Sequence, residues 1–386
     1  MTNDQTKKDM TQELTITITP GLEPILAQEL TSLGYTPLKT GYGSVSVLPK
    51  TFSDIYKLNF SLRTATRILL PLLHFSCKNQ YDLYDAVYSI NWAPFFSKSQ
   101  TFAIDAIVHA NQNLTNSHFV ALKAKDAICD KLRSLSRRRP TIDVKFPDLQ
   151  IHIHIFNTEA TLSFDTSGHA LHERGYRRRG SIAPMRENFA AALLMLAGYT
   201  PQHILVDPCC GSGTFLIEAA LMASNTPPQF LRSKFGFMAH PNYSDIEWNK
   251  MRATLLSERK PLQSTIMGIE QDPAAFDILS QSVAKAGFEH KIKLIQGDFQ
   301  TATLPVAPTF VITNPPYGIR LGDTATLEPL YIALGDFMKQ KTAKPAHGAI
   351  FTASLELAKS IGLKTERKTE IHNANLDCRL LEYELY

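Results

Sequence analysis

Two patterns of apolar and polar positions follow one another along the chain, and the change comes near Ser163. Before it, short stretches of strand character such as "ELTITI", "GSVSVLP" and "LQIHIHIF" alternate with stretches of helical periodicity such as "LEPILAQELTSLG" and "FVALKAKDAICDKLRSL". Strands and helices mixed in this way predict an α+β region. No internal repeat or low-complexity tract is evident in the sequence.

After Ser163 the chain alternates short apolar strands with longer helical stretches. The strands are "HILVD", "STIMGIE", "IKLIQGD", "TFVITN" and "GAIFTAS". Strands separated by helices predict an α/β fold in which a mostly parallel sheet is covered on both faces. The last stretch, "KTERKTEIHNANLDCRLLEYELY", has two strands without a helix between them, so we expect the sheet to end in an antiparallel pair.

The length of the chain and one long connection define the expected domains. A chain of 386 residues exceeds the size at which a single core stops growing, so we expect two domains, at residues 1–165 and 166–386. The segment between Met222 and Pro261 is long for a connection in an α/β sheet. We therefore predict an insertion there, with its own helix around Ile246 to Glu258.

Composition excludes several classes of protein. The chain is 44% hydrophobic and 20% charged, as in globular proteins, and no apolar run approaches the length of a membrane span. The polar N-terminal sequence lacks the apolar core of a secretory signal, so we expect a cytoplasmic protein. The five cysteines include no CxxC pair, which argues against a zinc site, an iron–sulfur cluster and a disulfide framework.

The net charge is only +4, but arginines are concentrated in "KLRSLSRRRP" (131–140) and "HERGYRRRG" (172–180). Such clusters contact nucleic-acid phosphates in many proteins and also occur on solvated loops, and both interpretations stay open for these two. His152 and His154 share one face of a strand. Because two ligands satisfy a metal only partly, this pair favours a polar outer sheet face, and we predict no metal site.

The stretch "ILVDPCCGSGTFLIEAA" (204–220) runs from an apolar strand through a glycine turn into a helix, where open α/β sheets bind ligands. It contains no GK[ST] phosphate loop, and Leu216 stands where a dinucleotide fingerprint has its third glycine. Residues 187–231 include no lysine or arginine, while Asp207 and Glu218 flank the turn. This environment favours a cationic ligand such as the sulfonium S-adenosylmethionine. The predicted cofactor-binding residues of the turn are Asp207, Gly211, Gly213 and Thr214.

Two further carboxylates follow the next two strands. Glu270 comes directly after "TIMGI", and Asp298 follows "IKLIQG". At these positions Glu270 can accept from both ribose hydroxyls and Asp298 from the adenine amino group of the same cofactor. The alternatives are that Glu270 and Asp272 cap the following helix, and that Asp298 belongs to a surface turn. The joint occurrence of carboxylates at successive strand ends favours the cofactor.

The fourth strand ends in "TNPPYG", a run that neither a helix nor a sheet interior tolerates. Asn314 is driven towards extended geometry by the proline after it, and Pro315 and Pro316 fix the chain direction. This corner offers acceptors only, the Asn314 side-chain oxygen and the Pro315 carbonyl, which suit the exocyclic amine of a nucleobase. Tyr317 adds a face on which an unpaired or flipped base can stack. The alternative is a turn stiffened by proline.

The NPPY corner and "DPCCGSGTFLIEAA" together resemble the amino-methyltransferases of the class I S-adenosylmethionine-dependent fold, whose sheet is Rossmann-like. Three further stretches, "DTSGHALHERGYR", "APMRENFAAALL" and "FGF…WNKMR", are similar to bacterial THUMP-domain proteins related to the 23S rRNA guanine-N2 methyltransferases. Proteins of this kind are often named N6-adenine-specific DNA methylases. The similarity spans nearly the whole chain.

The resemblance implies an enzyme that methylates N2 of a guanine in structured RNA, specifically 23S rRNA, with S-adenosylmethionine as its cofactor. It also implies an N-terminal ferredoxin-like and THUMP region that binds the RNA. No second methyltransferase domain is expected. The functional positions of the family fall on Asp207, Gly211, Gly213, Glu270, Asp298, Asn314, Pro315, Pro316 and Tyr317. Two departures are a glutamate at 270, where aspartate is common, and a single tryptophan, Trp248, in the insertion.

Other functions remain as alternatives. The same corner would serve an N6-adenine methyltransferase acting on DNA or RNA, and the fold could serve a non-catalytic RNA-binding factor in ribosome assembly. A nicotinamide oxidoreductase is disfavoured by the missing third glycine. Cys209 and Cys210 suggest a covalent attack on a pyrimidine, but their place in the cofactor turn favours small buried thiols.

Overall fold

The computed structural model describes residues 10–96, 100–136, 140–177, 185–318, 323–373 and 376–386. The chain forms two compact units. Unit 1 takes its described residues from Met1–Ile18, Leu30–Leu171 and Arg232–Thr254, and unit 2 from Thr19–Glu29, His172–Leu231 and Leu255–Tyr386. Residues 137–139 and 178–180, which supply much of the two arginine clusters, lie outside the described ranges.

The strands are β1 (Leu14–Thr17), β2 (Pro37–Gly41), β3 (Ser44–Val47), β4 (Arg67–Ser76), β5 (Thr101–His109), β6 (Thr141–Ile142), β7 (Leu149–Phe156), β8 (Glu159–Asp165), β9 (Leu205–Asp207), β10 (Ile266–Glu270), β11 (Lys293–Gln296), β12 (Phe310–Thr313), β13 (Ala346–Thr352), β14 (Arg367–Asn373) and β15 (Leu376–Leu385). The helices are α1 (Glu23–Ser32), α2 (Phe52–Ser61), α3 (Gln80–Ser89), α4 (Ser117–Ser136), α5 (Glu187–Leu196), α6 (Thr214–Ala223), α7 (Asp245–Ser257), α8 (Pro273–Lys285), α9 (Asp323–Gln340) and α10 (Leu355–Lys359). Short 3₁₀ turns cover Ala93–Phe95 and Gly236–Ala239.

The described part of unit 1 contains an 8-stranded sheet in the order β2-β3-β1-β4-β8-β7-β5-β6. The strands pair antiparallel except that β5 runs parallel to both β7 and β6. In β7 the isoleucines Ile151 and Ile153 are fully buried, while His152 and His154 lie on the opposite face, with His154 exposed. Burial lowers the pKa of His152 to about 4, so this side chain is neutral at physiological pH.

The insertion predicted between Met222 and Pro261 is present, and its helix α7 has nearly the predicted bounds. The segment Arg232–Thr254 belongs to unit 1 although strands of unit 2 come before and after it. Trp248 is buried edge-on against Tyr56 and Phe60 of α2, and the backbone N–H of Ser244 donates to the Tyr56 hydroxyl at 2.8 Å. Trp248 therefore serves packing, because its ring is enclosed by other aromatic rings.

The described part of unit 2 contains a 7-stranded sheet in the order β11-β10-β9-β12-β13-β15-β14. The strands from β11 to β13 are parallel, and β15 pairs antiparallel with β13 and with β14. This confirms the predicted α/β fold with an antiparallel end. The chain passes outward from β9 through β10 to β11 and returns to the other side of β9 as β12. Open α/β sheets bind ligands at such a switch in strand order.

Buried apolar residues fix the layers of unit 2 around this sheet. One face packs Val206, Ile269 and Ile350 against Tyr331 and other residues of α9. Gly268 is required in β10, because a Cβ there would lie 2.2 Å from a methyl carbon of α6. Across the described residues, no helix combines the length and the apolar character that crossing a bilayer requires.

Candidate active site

A cavity of about 1090 Å³ opens where β9, β10 and β12 end, and all of its lining residues belong to unit 2. Most of the site residues predicted from the sequence form its wall: Asp207, Gly211, Thr214, Glu270, Asn314, Pro315, Pro316 and Tyr317. Gly213 and Asp298 lie outside the wall. The structure thus brings the glycine turn, the second strand end and the proline corner to one space, although they lie far apart in sequence.

The turn after β9 has a left-handed backbone at both glycines, with φ of +53° at Gly211 and +76° at Gly213. Other residues adopt this conformation at an energetic cost, and a Cβ at Gly213 would also lie 2.3 Å from a methyl carbon of Leu279. Helix α6 begins immediately afterwards at Thr214. The turn therefore brings Gly211, Ser212 and Thr214 into the lining of the cavity.

Glu270 joins the end of β10 to the glycine turn. Its Oε2 accepts from the backbone N–H of Gly211 at 2.9 Å, and its Oε1 accepts from the N–H of Asp272 at 2.8 Å. The alternative that both carboxylates cap α8 holds only for Asp272, whose side chain accepts from Ala275 N–H at 2.8 Å. Glu270 instead lines the cavity, and its hydrogen bonds connect the end of β10 to the glycine turn.

Asp298 has a more local set of contacts. Its Oδ1 accepts from the backbone N–H of Gln300 at 2.9 Å, within its own turn. Its neighbours Gly297 and Phe299 line the cavity. These contacts match the surface-turn alternative, and the adenine contact of Asp298 stays a prediction.

Asp207 is a carboxylic acid almost completely removed from water, with 1% of its surface exposed. Burial is the largest cause that raises its pKa to about 7, and the nearby carboxylate of Glu270 contributes in the same direction. Its Oδ1 accepts from the backbone N–H of Cys209 at 3.1 Å. The pKa values of the Cys209 and Cys210 thiols are also raised, chiefly by burial, so both are protonated at neutral pH and unsuited to nucleophilic attack.

The proline corner after β12 presents an unsatisfied acceptor. The Oδ1 atom of Asn314 is buried and has no hydrogen-bond partner within the described ranges, and the residue lines the cavity. Pro315 is buried, and Tyr317 is half-buried beside it. A buried acceptor without a partner costs free energy, so this corner suits a donor that the described residues do not supply.

Buried ion pairs behind the cavity depart from two expectations drawn from the sequence. Glu218 was expected to add negative charge near the turn, but it accepts from the Tyr176 hydroxyl at 2.9 Å and pairs with the Arg174 Nε at 3.5 Å. Arg174 is itself fully buried, so this member of the second arginine cluster cannot contact a phosphate. A solvated or RNA-facing arginine was the wrong expectation at position 174, because the guanidinium neutralises a buried carboxylate.

Several cavity residues were not predicted from the sequence. Met185 precedes α5, and Leu327 and Leu330 come from the first turns of α9. Arg177 lies directly behind the wall, where its Nη2 donates to the Thr214 hydroxyl at 3.2 Å. The apolar spacing at the start of α9 could have indicated Leu327 and Leu330. Met185 and Arg177 could not be predicted, because their positions depend on contacts between distant segments.

Three family models match the chain. The largest match is to a family described as an RMKL-like methyltransferase domain, over residues 174–382. A THUMP domain matches residues 77–165, and an RlmL ferredoxin-like domain matches residues 13–69. The matches follow one another along most of the chain.

Among curated proteins, the chain is 38% identical to a ribosomal RNA large subunit methyltransferase K/L of Pseudomonas entomophila, over 97% of this chain and 52% of that relative. The chain thus spans about half the length of the K/L relatives it matches. It is 36% identical to a Synechocystis protein provisionally named an RNA methyltransferase, over 96% of both chains.

Among solved structures, the fold is similar to that of SMU.472, a protein provisionally named a methyltransferase and crystallised with S-adenosylhomocysteine. The TM-score is 0.86 at 28% sequence identity, over 98% of this chain and 99% of that chain.

Proposed function

This chain belongs to the family of RMKL-like methyltransferases with an N-terminal THUMP domain, and on that premise we propose that it methylates the exocyclic amine of a base in RNA. The proposed cofactor is S-adenosylmethionine, in keeping with the product bound to SMU.472. The proposed target is N2 of a guanine in 23S rRNA. The names of the K/L relatives support a large-subunit RNA, and the acceptor corner supports an amine.

We assign RNA binding to residues 1–165 and methyl transfer to residues 166–386. The ferredoxin-like match ends at residue 69 and the THUMP match at residue 165, and the methyltransferase match starts at residue 174, which supports this division.

The observation that carries the proposal is the buried Oδ1 of Asn314, which has no hydrogen-bond partner among the residues that the structure describes. A base amine has two N–H donors, and Asn314 Oδ1 together with the Pro315 carbonyl can accept both. Prolines at 315 and 316 contribute no competing backbone donor. The cavity of about 1090 Å³ lies at the upper end of the usual range for ligand sites, which leaves room for a cofactor together with a flipped base.

The cavity residues predicted from the sequence have proposed roles. S-adenosylmethionine, when bound, supplies an electrophilic methyl group on a positively charged sulfur. Asp207 and Glu270 provide negative charge and hydrogen-bond acceptors for it, and the glycine turn allows close backbone approach. Asn314 and Pro315 hold the amine and orient its nitrogen lone pair, and Tyr317 stacks on the base. Asn314 and the prolines cannot take up a proton, so the proton lost by the amine passes to water.

The test combines an RNA assay with product identification. Purified protein is incubated with tritiated S-adenosylmethionine and either an unmodified 23S rRNA transcript or duplex DNA, and the nucleosides are analysed by mass spectrometry. We expect tritium in the RNA alone, recovered as N2-methylguanosine. N6-methyladenosine would refute the guanine assignment, and labelled DNA would refute the RNA assignment.

An Asn314→Ala variant tests the corner itself. It should lose methyl transfer by about 100-fold or more, because a preorganised transition-state contact is removed, while binding of S-adenosylhomocysteine stays within about threefold. Asn249→Ala, an exposed position on α7, is the matched control and should keep full activity. Equal activity of Asn314→Ala and the wild type would remove the basis for the proposed mechanism.

A further inference from the structure

Arg177 makes a set of contacts that no role described so far explains. Its Nη2 donates to the backbone carbonyl of Met185 at 2.5 Å and to the Thr214 hydroxyl at 3.2 Å. Its Nε lies 3.0 Å from a carboxylate oxygen of Glu187. The Arg177 side chain is 19% exposed and that of Glu187 is 5% exposed. One guanidinium therefore connects the start of α5, the residue Met185 just before it, and the start of α6.

Two of these partners, Met185 and Thr214, line the cavity, while Arg177 lies behind them. The cavity wall holds the carboxylates Asp207, Glu270 and Asp272 on the side of β9 and β10, and no lysine or arginine occurs among its described lining residues. Thr214 is the first residue of α6, where backbone N–H groups have no partner within the helix. Positive potential thus comes from the Arg177 side and negative potential from the strand ends.

The methionine end of S-adenosylmethionine is a zwitterion that carries an ammonium group and a carboxylate. The site has acidic groups on one side and a guanidinium behind the opposite side. It can therefore bind the methionine end of the cofactor in one orientation only, with the ammonium group towards the acidic side. We propose that Arg177 is a positioning residue that holds Thr214 and Met185 around the carboxylate of the cofactor's methionine moiety. This inference rests on the proposed function, because it assumes that the cavity binds S-adenosylmethionine.

Glu187 compensates the charge of Arg177 without lining the cavity. The partly buried Arg177 and the buried Glu187 lie 3.0 Å apart and stabilise each other, and removal of one leaves the charge of the other uncompensated. Arg177→Gln alone could therefore unfold the protein for reasons unrelated to the cofactor. The double variant Arg177→Gln/Glu187→Gln removes both charges together and preserves approximate side-chain volume, so it is the informative variant. Glu187→Gln alone keeps the Arg177 bonds to Thr214 and Met185.

The experiment measures ligand binding by isothermal titration calorimetry with two probes. S-adenosylhomocysteine contains the amino-acid end, whereas 5′-methylthioadenosine has the same adenosine and sulfur but neither carboxylate nor ammonium. For Arg177→Gln/Glu187→Gln we expect the Kd of S-adenosylhomocysteine to rise about tenfold or more, as expected for a lost charge-assisted contact. The Kd of 5′-methylthioadenosine should stay within about twofold of wild type.

The two single-site comparisons complete the test. Glu187→Gln should bind S-adenosylhomocysteine within about threefold of wild type, and Arg133→Gln, an arginine with a 56% exposed side chain, should bind both probes as wild type does. Equal losses for both probes in the double variant would mean a general structural role and would overturn the inference, as would an unchanged Kd for S-adenosylhomocysteine. If the wild type binds neither probe, the proposed function itself fails.

Discussion

Replacement of Asp207 by asparagine should make the unliganded protein more stable at alkaline pH and weaken its binding of S-adenosylhomocysteine. The carboxyl group is buried, and its pKa of about 7 in the folded protein lies well above the ordinary value of 3.8 for an aspartate. The folded state therefore holds a proton that the unfolded state has lost. The stabilisation that this bound proton gives to the folded state is complete below about pH 3.8, declines as the pH rises, and is fully lost above about pH 7.

The size of the effect follows from the displacement of the pKa. At about 1.36 kcal/mol per pKa unit, the difference between 3.8 and about 7 corresponds to about 4 kcal/mol of lost stability in the charged form. Asparagine has the same shape, cannot ionise, and can still accept from the Cys209 N–H. The stability advantage of Asp207→Asn should thus increase by about 3 kcal/mol between about pH 5 and pH 8.

The assay is urea unfolding at several pH values, followed by far-ultraviolet circular dichroism because both tryptophans, Trp92 and Trp248, belong to unit 1. Burial also raises the pKa of Glu187 to about 7, but this residue is present in both proteins and its contribution cancels in the difference. Asp207→Ala is the control. Its free energy of unfolding should change with pH as that of Asp207→Asn does. It should be lower than that of Asp207→Asn by about 1 kcal/mol or more at each pH, because the Cys209 N–H loses its acceptor. If the difference in free energy of unfolding between the wild type and Asp207→Asn does not change with pH, the reasoning is refuted.

Three further predictions concern single side chains. Gly213→Ala should destabilise the protein by about 1–3 kcal/mol in urea unfolding, because φ there is +76° and a Cβ would crowd a leucine methyl carbon; unchanged stability would mean that the turn relaxes freely. Glu270→Gln should weaken S-adenosylhomocysteine binding in calorimetry more than Asp298→Asn does, because only Glu270 lines the cavity; the reverse order would contradict the assignment. Tyr331→Phe should cost about 1–2 kcal/mol in thermal unfolding through loss of a buried hydrogen bond of 2.8 Å to Thr352, and no loss would mean that water satisfies the hydroxyl group left behind.

The sheet of unit 2 could be predicted because each of its strands is a continuous apolar run bounded by a helix. In unit 1 the pattern was less informative at β4, where Pro71 interrupts the run "RILLPLLHFS". The strand forms nonetheless, with a register shift between Pro71 and Leu73 where it pairs with β8. A bulge of this kind removes the need for a proline N–H in the ladder, and nothing in the local pattern indicates that it will form.

The parts of the site that could be predicted are those in which one short segment contains the whole feature. The direction of the chain at Asn314 follows from the two prolines after it, and the left-handed turn at Gly211 follows from glycine itself. The role of Asp298 was harder to predict, because its position after a strand is compatible both with a ligand contact and with the local turn that it closes with Gln300.

Charge near the cavity could not be predicted from a continuous window of sequence. Residues 187–231 contain no lysine or arginine, yet Arg177 lies outside that window and reaches Thr214 at 3.2 Å. Charge interactions depend on distance in space, and the fold brings Arg177 to α6 through its pairing with Glu187. The cavity is therefore acidic at its wall and balanced by a cation behind it. Such an arrangement distinguishes a zwitterionic cofactor from a simple cation, since a simple cation would gain nothing from Arg177.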